Sequence, residues 1–99
     1  MTLNEFIDVA KRLDPSDKTA FCSLVAAGLQ LTGLTLEEVA SKFDTAPGTV
    51  SRWKNGHTAP AVFARKSIVR FFLQKAERMA RGTSAPVRAS VAAFFASKR

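Results

Sequence analysis

Between Thr49 and Thr58 the sequence sets Ser51, Arg52, Lys54, Asn55 and His57 around two apolar residues, Val50 and Trp53. Such side chains suit recognition rather than bond making. A guanidinium such as Arg52 can donate two parallel hydrogen bonds to the O6 and N7 acceptors of guanine. A threonine such as Thr49 can bond a base edge or touch a thymine methyl, and Ser51 is a further candidate of the same kind. Lys54, His57 and Thr58 suit the oxygens of phosphates, which position a protein without reporting sequence.

Bond-making chemistry has few footholds. No paired carboxylates sit in an apolar setting, no glycine-rich phosphate loop occurs, and no nucleophile has a basic neighbour in a recognisable motif. His57 is the only histidine and lacks partners at metal-ligand spacing. Cys22 is the only cysteine, so neither an intrachain disulfide nor a cysteine metal cluster can form. It lies on an apolar stripe and reads as a small buried hydrophobe. A binding protein is therefore expected, not an enzyme, with no cofactor and no metal.

Charge suggests the ligand class. The chain of 99 residues carries a formal net charge of +7. Residues 1–44 hold four basic and seven acidic side chains, whereas residues 45–99 hold eleven basic ones and a single acid, Glu77. A basic second half favours a polyanionic partner, nucleic acid before an anionic membrane or an acidic protein. Hydrophobic residues at 46% and charged residues at 23% are ordinary globular usage, and the length suits one domain. The longest apolar run, Leu24–Leu29, is too short to span a bilayer, and Met1–Asp8 carries two acids and no base, unlike a secretory signal. A reducing, cytoplasmic setting is expected.

These side chains need elements to hold them, and the pattern is helical throughout. Thr2-Leu3-Asn4-Glu5 and Thr35-Leu36-Glu37-Glu38 are capping boxes, with Met1/Phe6 and Leu34/Val39 placed as hydrophobic staples. The first helix should end near Leu13. Asp14 is expected to cap the second, with Pro15 at its first position and Asp17 near its positive end. Phe21, Leu24, Val25, Gly28 and Leu31 give that helix its apolar stripe, and Gly33 is a stop. A short helix ending near Phe43, a turn through Asp44-Thr45-Ala46, and a helix from Pro47 to about Gly56 follow. After a loop over His57–Pro60, a long helix spans Ala61–Ala80 up to Gly82. A last one opens at Ser84-Ala85-Pro86. The expected fold is all-α, a compact bundle of five to six short helices.

The stretch Leu34–Pro60, LTLEEVASKFDTAPGTVSRWKNGHTAP, has the residue sizes of a helix-turn-helix over about 36–55. Ala40 is small where the first helix must touch the second. Val50 and Trp53, three apart, pin the second helix to the core and turn Thr49, Ser51 and Arg52 partly outward. Trp53 is thus core rather than a platform for bases. A helix so held can enter the major groove with its N-terminal half at the base edges.

This stretch resembles the Cro and phage-repressor helix-turn-helix family, also called the xenobiotic-response-element type. It does so without a gap, through the LTxEEhA opening, the GTVSRWKNG helix and the closing Pro60. More loosely, Lys18–Ala80 is similar to that family's five-helix, lambda-repressor-like core. Residues 1–16 and 83–99 lie outside the resemblance. The family's turn glycine is Asp44 here, which tolerates left-handed backbone better than most residues. An apolar turn position is Thr45, and the polar cap is Ala46, which cannot accept an amide hydrogen bond. Pro47 and Gly48 stand where family members often carry polar base readers. Base reading is therefore expected to rest chiefly on Arg52 and Thr49, with Ser51 secondary. The resemblance implies a phosphate contact for the Asn55 amide. Lys54, His57 and Thr58 lie on the loop that would face the DNA backbone, and Arg65, Lys66 and Arg70 are lesser phosphate candidates.

On the long helix Val62, Val69, Phe72, Leu73, Ala76 and Ala80 share a face expected to pack on the core, while Phe63 and Phe71 point elsewhere. With Val87, Val91, Phe94 and Phe95 of the last helix, this is more apolar surface than one small domain needs. Phe71, Val91, Phe94 and Phe95 are accordingly candidates for a dimer interface within about 61–97. Taken together, the expectation is a sequence-specific double-stranded DNA-binding regulator, a repressor acting as a homodimer on an inverted-repeat operator. The alternatives are a DNA-binding antitoxin that also masks a toxin, and a non-specific architectural or protein-interaction module.

Overall fold

Thr2 and Thr35 each open a helix by the same exchange of hydrogen bonds. Thr2 Oγ1 accepts from the Glu5 amide at 3.1 Å, and the Thr2 amide donates to Glu5 Oε1 at 2.7 Å. Thr35 and Glu38 repeat the exchange at 3.0 and 2.8 Å. The backbone bond at each threonine, then the hydroxyl bond, holds Glu5 and Glu38 below the ordinary glutamate pKa. The helices so started are α1, Leu3–Arg12, and α3, Leu36–Lys42. The other three are α2, Lys18–Thr32, α4, Pro47–Lys54, and α5, Val62–Arg81. The computed structural model describes residues 1–82, and among these the fold is all-helical, with five helices and no strand. The helix expected from Ser84, with Val87, Val91, Phe94 and Phe95, lies outside the described residues.

The start of α2 differs from expectation. Asp14 does not cap it. Its carboxylate accepts instead from the amide and hydroxyl of Ser16, at 3.0 and 2.8 Å, which closes a turn through Pro15. These bonds hold the Asp14 pKa low. Asp17 is the cap, accepting from the Ala20 amide at 3.0 Å. Gly33 ends α2 at φ 73°, and the chain bends by 117° into α3. A left-handed backbone of this kind carries little penalty for glycine.

The core draws on every helix. Phe6, Phe21, Val25, Val39, Val50, Ile68 and Phe72 are its largest fully buried side chains. α5 packs on α1 and α2, while α4 packs on α2 and α3. Burying a side chain such as Phe72 stabilises the fold by about 1.5–3 kcal/mol. Gly28 lies so close to that ring that a Cβ there would sit 2.7 Å from Phe72 Cδ1.

α5 is the single long helix expected, with no glycine or proline within residues 62–81, so Lys18–Ala80 holds four helices and not the five that the resemblance implied. It departs from expectation in two ways. It overhangs the core at both ends, leaving Val62 41% exposed and Ala80 exposed, while Ile68, absent from the expected face, is buried. Phe71 does not stand clear. It is half-buried, meeting Phe43 edge-on at 5.4 Å and Phe72 at 5.7 Å. Phe63 does point outward, at 78% exposure. Met1 is likewise two-thirds exposed, at 66%, although its staple partner Phe6 is buried. No single helix among the described residues is long and apolar enough to cross a membrane.

Candidate functional site

The turn between α3 and α4 is closed by backbone alone. Asp44 takes φ 52°, in the place where the chain must turn left-handed. The Thr45 amide donates to Ala40 O at 2.9 Å and the Asp44 amide to Ser41 O at 3.4 Å, the two bonds of a Schellman closure. Aspartate suits this conformation better than a branched side chain would. The chain then extends through Ala46, φ −91° and ψ 147°, and re-enters helix at Pro47. Ala46 provides no side-chain cap. The end of α4 repeats the earlier device: Gly56 turns at φ 81°, with the His57 amide on Arg52 O at 2.9 Å and the Gly56 amide on Trp53 O at 3.1 Å.

Packing sets the rotation of α4. Ala40, Val50 and Trp53 are all buried, with Trp53 edge-on to Phe21 at 6.3 Å. With Val50 and Trp53 inward, the opposite side carries Gly48, Ser51, Arg52 and Asn55. Arg52 and Asn55 are exposed, while Ser51 and Thr49 are half-buried. Asn55 Nδ2 donates to Ser51 Oγ at 3.5 Å, so the two polar groups one turn apart hold each other. A Cβ on Gly48 would meet no atom within 4 Å, so Gly48 presents bare backbone to solvent in the first turn of α4. Lys54, His57 and Thr58 are exposed at and beyond the end of the helix. The described candidates therefore converge on one short helix and its following loop. Phe71 is drawn away into the contact with Phe43, and Val91, Phe94 and Phe95 lie outside the described residues.

Two features were not expected from the sequence. Arg65, considered for phosphate, works inside the fold: its Nε donates to Pro60 O at 2.8 Å and its Nη1 to Pro15 O at 2.9 Å, with the guanidinium 5.9 Å from the Phe21 ring centre. The five donors of a guanidinium make such a double tie possible. Only the number of basic residues, not their destination, was legible. The second feature is a pair of open clefts where the end of α4 rests on α2. One, of about 380 Å³, is lined by Lys18, Thr19, Ser23, Lys54, Asn55 and Gly56 together with Cys22 and Ala26. The other, of about 570 Å³, lies toward Gln30 and Thr35 and shares Ala26, Lys54 and Asn55 with the first. Cys22 is buried, and its Sγ donates to Thr58 O at 3.6 Å. Among the described residues no group of three His, Cys, Asp or Glu side chains is placed to hold a metal.

Compared with known proteins, the chain matches no protein-family model, no curated protein and no solved structure.

Proposed function

We propose that this chain is a sequence-specific double-stranded DNA-binding regulator of transcription, a repressor that reads an inverted-repeat operator as a homodimer in the cytoplasm. The observation that carries the reading is the rotation of α4. It buries Val50 and Trp53, turns Arg52 and Asn55 to solvent and leaves the backbone bare at Gly48. A short helix held this way fits a major groove about 12 Å wide. The net charge of +7 supports a polyanionic ligand. Arg52 reads base edges with help from Thr49 and Ser51, while Lys54, Asn55, His57 and Thr58 hold phosphates. One such helix reaches only a few base pairs, so a two-fold pair of chains is needed to select a site.

Selection from a pool of random duplexes tests this directly. The expected product is an inverted repeat with half-sites about 10–10.5 base pairs apart, or a multiple of that spacing. A pool recovered with no enriched sequence would remove sequence-specific binding.

A further inference from the structure

We propose that the sugar–phosphate backbone of the bound DNA is seated in the cleft between α2 and the end of α4, with Lys18 and Lys54 as its paired charges. The inference rests on the DNA-binding reading and adds a second element, α2, to the surface that holds the ligand.

Lys18 is the first residue of α2, and Lys54 is the last of α4. They are far apart in sequence, yet they line one cleft with the hydroxyl-bearing Thr19 and Ser23, the Asn55 amide and the backbone of Gly56. No carboxylate lines that cleft. Neither lysine pairs with an acid among the described residues, where the ion pairs are Lys11–Glu77 and Arg12–Asp8. The nearest acid in sequence, Asp17, has its carboxylate engaged by the Ala20 amide. Two cations with hydroxyl and amide donors and no acid make a chemical match for a phosphodiester.

The walls of the cleft are tied in place. The Cys22 thiol bonds Thr58 O, joining α2 to the loop after α4. Arg65 bonds Pro15 O just before α2 and Pro60 O at the end of that loop. The lysines are thus carried on fixed backbone, and binding orders only their side chains. The cleft adjoins the exposed side of α4 through Asn55, so a strand lying in it passes beside the groove that Arg52 would enter.

Lys18→Gln, Lys18→Arg and Arg12→Gln, the last a matched loss of charge on α1, are compared with the parent. Each is titrated against its selected duplex and a scrambled one at several salt concentrations. Circular dichroism checks that each variant is folded. Losing one phosphate contact lowers affinity on the order of five- to tenfold near 0.1 M salt and makes the log–log salt slope shallower by about 0.9. Lys18→Gln is expected to show both changes equally on the two duplexes, Lys18→Arg to restore them, and Arg12→Gln to show neither. Unchanged binding by Lys18→Gln, or the same loss from Arg12→Gln, would overturn the seat while leaving the DNA-binding reading in place. A loss confined to the selected duplex would also overturn it, since a phosphate contact is blind to sequence. A parent that binds neither duplex removes the reading and the seat together.

Discussion

Arg52 and Arg65 are the same residue type in opposite settings. Arg65 spends its donors on the carbonyls of Pro15 and Pro60 and stacks near Phe21, so it is part of the scaffold. Arg52 is exposed on α4, its carbonyl accepts from the His57 amide, and its guanidinium makes no hydrogen bond or ion pair among the described residues. Arg52→Ala should therefore melt at the parent's temperature. With duplex DNA as ligand, it should lose about 1–3 kcal/mol of binding to the selected sequence and tolerate any base at one position per half-site. Binding measured on the selected site and on its single-base variants decides the point. An equal loss on every duplex would make Arg52 a phosphate contact instead.

At the scale of elements, the caps are uneven. α1, α2 and α3 have side-chain caps from Thr2, Asp17 and Thr35, whereas α4 begins at Ala46 without one. The helix that carries the candidate site is thus the poorest-capped of these four. A serine there could accept from the amide two or three residues on, where Ala46 now meets Thr49 only through its carbonyl. Ala46→Ser is expected to raise stability by about 1 kcal/mol, since the backbone is already extended as a cap requires. Urea unfolding measures it. An unchanged midpoint would show that the Ala46 carbonyl and solvent already satisfy those amides.

At the scale of the whole molecule, the bundle is set by how closely α2 and α5 approach, and Gly28 permits that approach. Gly28→Ala pits two effects against each other. Helix propensity favours alanine by about 1 kcal/mol. Overpacking typically costs about 1–3 kcal/mol, and the Phe72 ring that the new methyl would meet is fully buried. The expected net result is a loss of up to about 2 kcal/mol, seen as a lower Tm. A higher Tm would mean that the ring can swing aside. Assembly belongs to this scale as well. Phe71 is covered by Phe43 and by Lys42, whose Nζ lies 5.9 Å from the Phe71 ring centre, so it is a weaker candidate for an interface than its helical position suggested.

What the sequence determined by itself was governed by neighbours a few residues apart. Both capping boxes, the stops at Gly33 and Gly56, the left-handed turn at Asp44, the uncapped start at Pro47 and the inward set Ala40, Val50 and Trp53 were legible, because each depends on local hydrogen bonds or helical spacing. The Asp14-Pro15-Ser16-Asp17 run was local too, but it offers two competing caps, and the Ser16 bonds to Asp14 left the role to Asp17. Only the tertiary structure could decide the rest. Arg65 reaches a carbonyl 50 residues away, and Lys18 of α2 lines one cleft with Lys54 of α4. Phe71 finds Phe43, while Val62 runs off the end of the core that Ile68 enters. Helical spacing gives the direction in which a side chain leaves its own axis. What stands there to receive it depends on the crossing of another helix, and that is set by packing among residues distant in the chain.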